Sequence, residues 1–249
     1  MKNETNTSAP SFSQRLREET KDIHTMAERC TFMRGFLRGV TSPSAYADYL
    51  EGMRRIYQAL EEAMEARRDH PVVRSFYFPE LFRIPSIKRD LEFFGGCPLR
   101  TNRAADQVLE AFARRLKQLA DYAPECLVSH AYTRYMGDLS GGQILSKIVS
   151  KSMGLDREGE GLAFYRFEAI EDIDGFKKEF RSRLDRLPEI EPSLPDRIVE
   201  ETITCFRLNI QFFETLEGNA LIAAYRQIFP RKKRNFVPNT ASSMPSHPS

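Results

Sequence analysis

Apolar residues recur along this chain at three- and four-residue intervals, and no window alternates with the period of two that a half-buried strand requires. The pattern predicts an all-α fold. A first helix opens near Phe12, where Ser11 and Gln14 have capping-box spacing, and its apolar stripe runs through Leu16, Ile23, Ala27 and Cys30. A second starts at Ser42-Pro43, a hydroxyl N-cap followed by the residue best suited to the first helical position. It carries Tyr46, Leu50, Met53, Tyr57, Leu60 and Met64 on one buried face. Between 71 and 100, Pro71, Pro79, Pro85 and Pro98 divide short apolar pieces, which predicts short helices and turns. Helical spacing resumes over 102–121, from Pro124 to about Met153, over 173–186 and over 192–227, without an internal repeat.

Composition narrows the class. A chain of 249 residues can bury a core that encloses a cofactor, and one domain over 11–229 is expected. The polar segment 1–10 and the segment 230–249, which holds Arg231-Lys232-Lys233-Arg234 and then Ser, Pro and Asn, are expected to be disordered. The 37 basic and 35 acidic residues are interleaved and leave a net charge of +2, which argues against a nucleic-acid surface. The N-terminus has no apolar signal core. The stretch Ala220 to Phe229 is interrupted by Arg226 and is half the roughly 20 residues of a membrane span. The four cysteines are far apart with no CxxC spacing, so a reducing, cytoplasmic setting is expected. Cys97-Pro98, after Gly95-Gly96, reads as a turn.

Chemistry concentrates in a few places. Within the helical segment 132–143, Gly137, Gly141 and Gly142 occupy three of six positions, at about 1 kcal/mol each relative to alanine. Gly137 and Gly141 share a face, so that face either meets something flat and bulky or packs tightly on another helix. His24 lies about 80° round from Leu16, at the border of the apolar stripe. Glu28 is one turn on, where it can orient an imidazole that ligates metal, and Arg17 is two turns back on the same side. A histidine so placed can also be structural. Lys21, Arg67 and Leu127 stand three residues before His24, His70 and His130, so the Glu-x-x-His of di-iron bundles is absent, as is HExxH. Arg134 and Asp138 are i,i+4 and could form an exposed salt bridge. Lys177 and Arg181 repeat that spacing, which suits two ligand carboxylates or a solvated basic face.

Four segments carry a resemblance: Thr20-Lys21-Asp22-Ile23-His24, the run from His130 to Gln143 that contains Tyr135-Met136-Gly137-Asp138-Leu139-Ser140-Gly141-Gly142, Gly161 to Tyr165, and Phe176 to Arg183. In these segments, and in their order from about Phe12 to Leu216, the chain resembles the biliverdin-forming heme oxygenase family. No C-terminal membrane anchor of the kind some members carry is expected.

The resemblance implies a single-domain helical fold with heme sandwiched between a proximal N-terminal helix and a glycine-bent distal helix. Heme b would be both cofactor and substrate, cleaved with O2 to biliverdin of the IXalpha type, CO and ferrous iron. His24 would be the iron ligand, with Glu28 near its other nitrogen, and Asp138 would hold a water for proton delivery among Tyr57, Arg134 and Asn209. Gly137 and Gly141 would admit the porphyrin, and Phe206 would contact it. Arg17, standing where lysine is common, would anchor the propionates with Tyr132, Lys177 and Arg181. His130 would be structural. Electrons would come from an acidic donor, a ferredoxin or an NADPH-dependent flavoprotein reductase, docking near Lys147, Lys151, Lys177 and Arg183 on a monomer. A non-catalytic heme carrier would offer a second strong ligand, which no matching distal position supplies. In a heme-free helical protein of the thiamin-salvage type, His24, Lys177 and Arg181 would share no purpose.

Overall fold

The hydroxyl of Ser42 accepts a hydrogen bond from the Ala45 amide at 3.2 Å, and Pro43 occupies the first turn, so the longest helix starts where its cap and imino acid dictate. The computed structural model describes residues 10–95 and 103–216, and every regular element among them is helical. Segments 1–9 and 217–249, which include the anticipated helix end to 227 and the tail 230–249, lie outside the described residues, as does Cys97-Pro98.

The elements are α1 (Phe12–Glu19), α2 (Lys21–Arg29), α3 (Thr31–Leu37), α4 (Pro43–Ala66), α5 (Pro71–Arg74), α6 (Ile84–Phe93), α7 (Arg103–Tyr122), α8 (Leu127–Ala131), α9 (Gly137–Met153), α10 (Ile173–Asp185), α11 (Leu187–Ile190) and α12 (Leu194–Thr215). The stripe of α4, Tyr46, Leu50, Met53, Tyr57, Leu60 and Met64, is at most 1 % exposed, and each such side chain contributes about 1.5–3 kcal/mol by leaving water. Around it pack α6, α7 and α8, while α12 lies against α2, α3, α7 and α8. Gly52 lets Phe212 of α12 press onto the α4 backbone, since a Cβ there would lie 2.0 Å from the ring's Cζ.

The anticipated first helix is two helices. At Thr20 the backbone turns to ψ 1°, and the threonine hydroxyl donates to Leu16 O at 2.7 Å, the local bond that lets this residue type end a helix. The first piece, α1, docks on α10 through Ser13 N and Asp185 Oδ1 at 2.7 Å, whereas α2 lies against α12 and α3. Arg17 and His24 therefore do not share one helix face. The distal segment is helical from Leu127 to Met153, but its irregularity comes before the glycines. Tyr132–Met136 form one wide π-turn between α8 and α9, which rephases the side chains that follow. Gly154, at φ 70°, ends α9 in a left-handed cap. Asp90 of α6 ties down the turn Ala163–Tyr165 by accepting from the Ala163 and Phe164 amides at 2.8 and 2.7 Å.

Candidate active site

A cleft opens between α2 and α9, with α3 and α12 completing its walls, and its empty volume is about 910 Å³ including the mouth. Ala27, Met33, Leu37, Ile144, Leu145, Phe206 and Phe213 make it largely apolar. Leu37 and Ile144 are 40 % and 58 % exposed, apolar surface left uncovered at its border. His24 enters from α2. Its ring stands edge-on to Phe206 at 5.6 Å, and its Nδ1 lies 3.8 Å from Glu28 Oε1, within ion-pair range but too far for a hydrogen bond.

Gly137 and Gly141 line the cleft on α9, and a Cβ on either would meet nothing within 4 Å. Tight packing on another helix is therefore not their reason. Gly142 is the packed one, with Tyr165 at 3.3 Å from its would-be Cβ.

Behind the glycines sits a buried polar array. Arg134 and Asp138 are 8 % and 7 % exposed, so the surface salt-bridge reading fails, and their closest approach is 3.5 Å. The guanidinium spreads its donors: Nη1 to Asn209 Oδ1 at 2.9 Å, Nε to the Tyr57 hydroxyl at 3.3 Å, and Nη2 both to Met53 Sδ at 3.4 Å and, at the longer 3.5 Å, to Asp138 Oδ1. Tyr57 donates to Asp138 Oδ2. Burial pushes the Asp138 carboxyl above its ordinary range, although Arg134 and the Tyr57 bond pull it back. Burial also drives the Tyr57 phenol far up, so it remains a donor at any working pH.

Not every anticipated residue reaches the cleft. Arg17, Tyr132, Lys177 and Arg181 are absent from its lining. Tyr132 is raised by burial while the charges of Arg17 and Arg181 act to lower it, so these three are electrostatic neighbours at the start of the π-turn. Lys177 instead pairs with Asp174 at 2.8 Å on its own helix. Lys147 and Lys151 are exposed on α9, but Arg183 is committed to Glu179 and to Ser75 O, each at 2.7 Å, and lies over Phe78. His130 is wholly buried against Glu201, Nε2 to Oε1 at 2.8 Å, and His70 precedes α5. Met53 and Tyr49, both at the array or cleft, carried no signal beyond their place on an apolar face.

Fold and cleft together define a helical protein with a largely apolar cleft between a histidine-bearing helix and a glycine-bearing one, beside a buried carboxylate. Among the described residues, no cluster of three or more His, Cys, Asp or Glu could hold a bare metal ion, and no helix is long and apolar enough to cross a membrane.

The chain belongs to the heme oxygenase family, whose model matches residues 10–215. It is 41 % identical to heme oxygenase 1 of Synechocystis, over 88 % of this chain and 90 % of that one, and 41 % identical to human heme oxygenase 1, over 83 % and 72 %. The crystal structure of Synechocystis heme oxygenase-1 in complex with heme superposes with a TM-score of 0.79 at 40 % identity, covering 88 % of this chain and 98 % of that one. The heme oxygenase of Leptospira interrogans superposes at 0.76 with 37 % identity, covering 82 % and 99 %.

Proposed function

We propose that this chain binds heme b between α2 and α9 and, with O2 and electrons from outside, cleaves it to biliverdin, CO and ferrous iron. The observation that carries this reading is the pairing across one cleft of His24 with two glycines that face open space, Gly137 and Gly141. A porphyrin needs flat, apolar walls and backbone close to its plane, and these residues fit it. When bound, heme supplies the iron centre at which dioxygen is activated, and it is also the substrate consumed.

His24 would hold the heme iron through its imidazole, and Phe206, edge-on at 5.6 Å, limits the rotation of that ring. Asp138 Oδ2 accepts from Tyr57, while Oδ1 accepts a long 3.5 Å bond from Arg134, so Oδ1 is the atom better able to hold a water and pass a proton, and the raised pKa of the carboxyl suits that exchange. Asn209 holds the Arg134 guanidinium, which stands 3.5 Å from the carboxylate and so orients it without a close ion pair. Arg17, Tyr132 and Arg181, with Lys177 if it leaves Asp174, anchor the two propionates and so select the meso carbon, giving the IXalpha isomer. Lys147 and Lys151 receive an acidic ferredoxin or flavoprotein reductase. The unit is the single domain 11–229, acting as a monomer in the cytoplasm, where reduced thiols are the rule.

The test is to load the protein with heme, supply reductant and O2, and identify the bilin by chromatography. Biliverdin IXalpha is expected from wild type. Asp138→Ala should keep the Soret band of bound heme but lose most product. A wild type that binds heme and never releases a bilin would refute the reading.

A further inference from the structure

The guanidinium of Arg134 is held from three sides besides its carboxylate, and one of them is a sulfur. Nε donates to the Tyr57 hydroxyl at 3.3 Å and Nη1 to Asn209 Oδ1 at 2.9 Å, which together fix the plane of the group. Nη2 divides its donors between Met53 Sδ at 3.4 Å and Asp138 Oδ1 at 3.5 Å. Met53 lies on the buried face of α4, one turn before Tyr57, and is 0 % exposed, so water does not compete for its thioether. The 3.5 Å separation is long for a buried arginine–carboxylate pair, which ordinarily closes to about 2.7–2.9 Å.

We propose that Met53 is a positioning residue: its sulfur holds Arg134 Nη2 back from Asp138 and so keeps Asp138 Oδ1 open to a water. The proposal rests on the reading of Asp138 given above. Without the sulfur, one N–H of a buried cation loses its acceptor, and such a donor is costly to leave unpaired. Asp138 Oδ1, already within 3.5 Å, is the acceptor at hand. The guanidinium then swings towards it, the pair closes, and the nearer positive charge favours the ionised carboxylate. Tyr49, Arg83, Tyr135 and Tyr165 also act on that carboxylate through space, as Tyr57 does through its bond. They are the same in every variant at position 53, so a difference between variants belongs to the sulfur.

The test uses the full chain, unloaded and then loaded with heme. Met53→Leu removes the acceptor at nearly constant volume, and Met53→Gln restores one as an amide oxygen. In the unloaded protein, 15N–1H spectra of Met53→Leu should show the Arg134 side-chain signals displaced, and the 13C titration midpoint of the Asp138 carboxyl should fall by roughly half a unit. Met53→Gln should return both towards wild type. A midpoint unmoved in Met53→Leu overturns the proposal. So does one that falls equally in both variants, because packing and not the acceptor would then be the cause. Should Met53→Gln not fold, the wild type gives the second reading: the Met53 methyl 13C signal should titrate with the midpoint of Asp138, and a flat methyl signal overturns the proposal. Loaded with heme and supplied with reductant and O2, Met53→Leu should release bilin several-fold more slowly. A fallen midpoint with a wild-type rate upholds the positioning by Met53 and sinks the assignment of Asp138 instead.

Discussion

Three helix-interior glycines, replaced one at a time by alanine, should behave differently. Alanine gains about 1 kcal/mol over glycine inside a helix, provided that its methyl finds room. At Gly141 nothing lies within 4 Å of the added Cβ, so unloaded Gly141→Ala should gain about 0.5–1 kcal/mol and melt roughly 2 °C higher. At Gly52 the Cβ would sit 2.0 and 2.4 Å from two carbons of Phe212, a ring wedged in the core. Overpacking of about 1–3 kcal/mol should exceed the helix gain and leave Gly52→Ala less stable than wild type. Gly142→Ala, with Tyr165 at 3.3 Å, should fall between them. Heme reverses the order for Gly141, because the methyl occupies the plane reserved for the ligand and should weaken binding by tenfold or more, about 1.4 kcal/mol. Thermal melts of the unloaded variants and optical heme titrations measure the two quantities. A Gly141→Ala protein that melts below wild type, or that binds heme as tightly, would refute the reasoning.

Other outcomes follow from the same geometry. His24→Ala should lose turnover yet retain weak heme binding through the apolar walls, and added imidazole should restore part of the activity; full activity without it would reassign the ligand. Lys147→Glu and Lys151→Glu should slow reduction by an acidic donor, and rising ionic strength should do the same to wild type. If stopped-flow rates respond to neither, the donor docks elsewhere. Burial opposes the charge on His130, but Cys205 and Glu201 outweigh it and raise the imidazole from its ordinary 6.5 to about 9. A folded pKa above the unfolded one means that the native state holds the proton more tightly. The stabilisation, at most about 3 kcal/mol, is therefore complete below pH 6.5 and lost as pH climbs through 9. Melting temperature should fall across that window and fall less in His130→Gln; parallel curves would exclude the histidine.

Helices were legible wherever one face is buried and the caps are local. The spacing over 102–121 and 173–186 corresponds to α7 and α10 within one residue, because apolar periodicity and side-chain burial are the same fact. The break at Thr20 was not legible, since its cause is one hydroxyl bonding inside an uninterrupted stripe. Nor was the π-turn, an extra residue in a helical turn that leaves no compositional mark. Spacing could pair Arg134 with Asp138 but could not show that both are buried, nor bring Asn209 to Arg134 across the bundle. Only the family resemblance placed His24, Asp138 and Asn209 at one site. Lys177 shows a local limit, because Asp174 three residues earlier competes for the charge assigned to a ligand.

The short helix that carries His24 buries one of its nine residues, Ala27. A helix of that length cannot stand on its own in water and depends on what packs against it. Its neighbours are α12, α3 and α1, and its remaining side faces the cleft. Under the proposed function, heme would be a structural member as well as a substrate, a rigid plate completing a wall that the polypeptide leaves open. Opening the ring would turn that plate into a pliable strand that braces α2 less. Amide exchange in 21–29 should accordingly be slow with heme, fast without it, and already fast with the linear tetrapyrrole still bound.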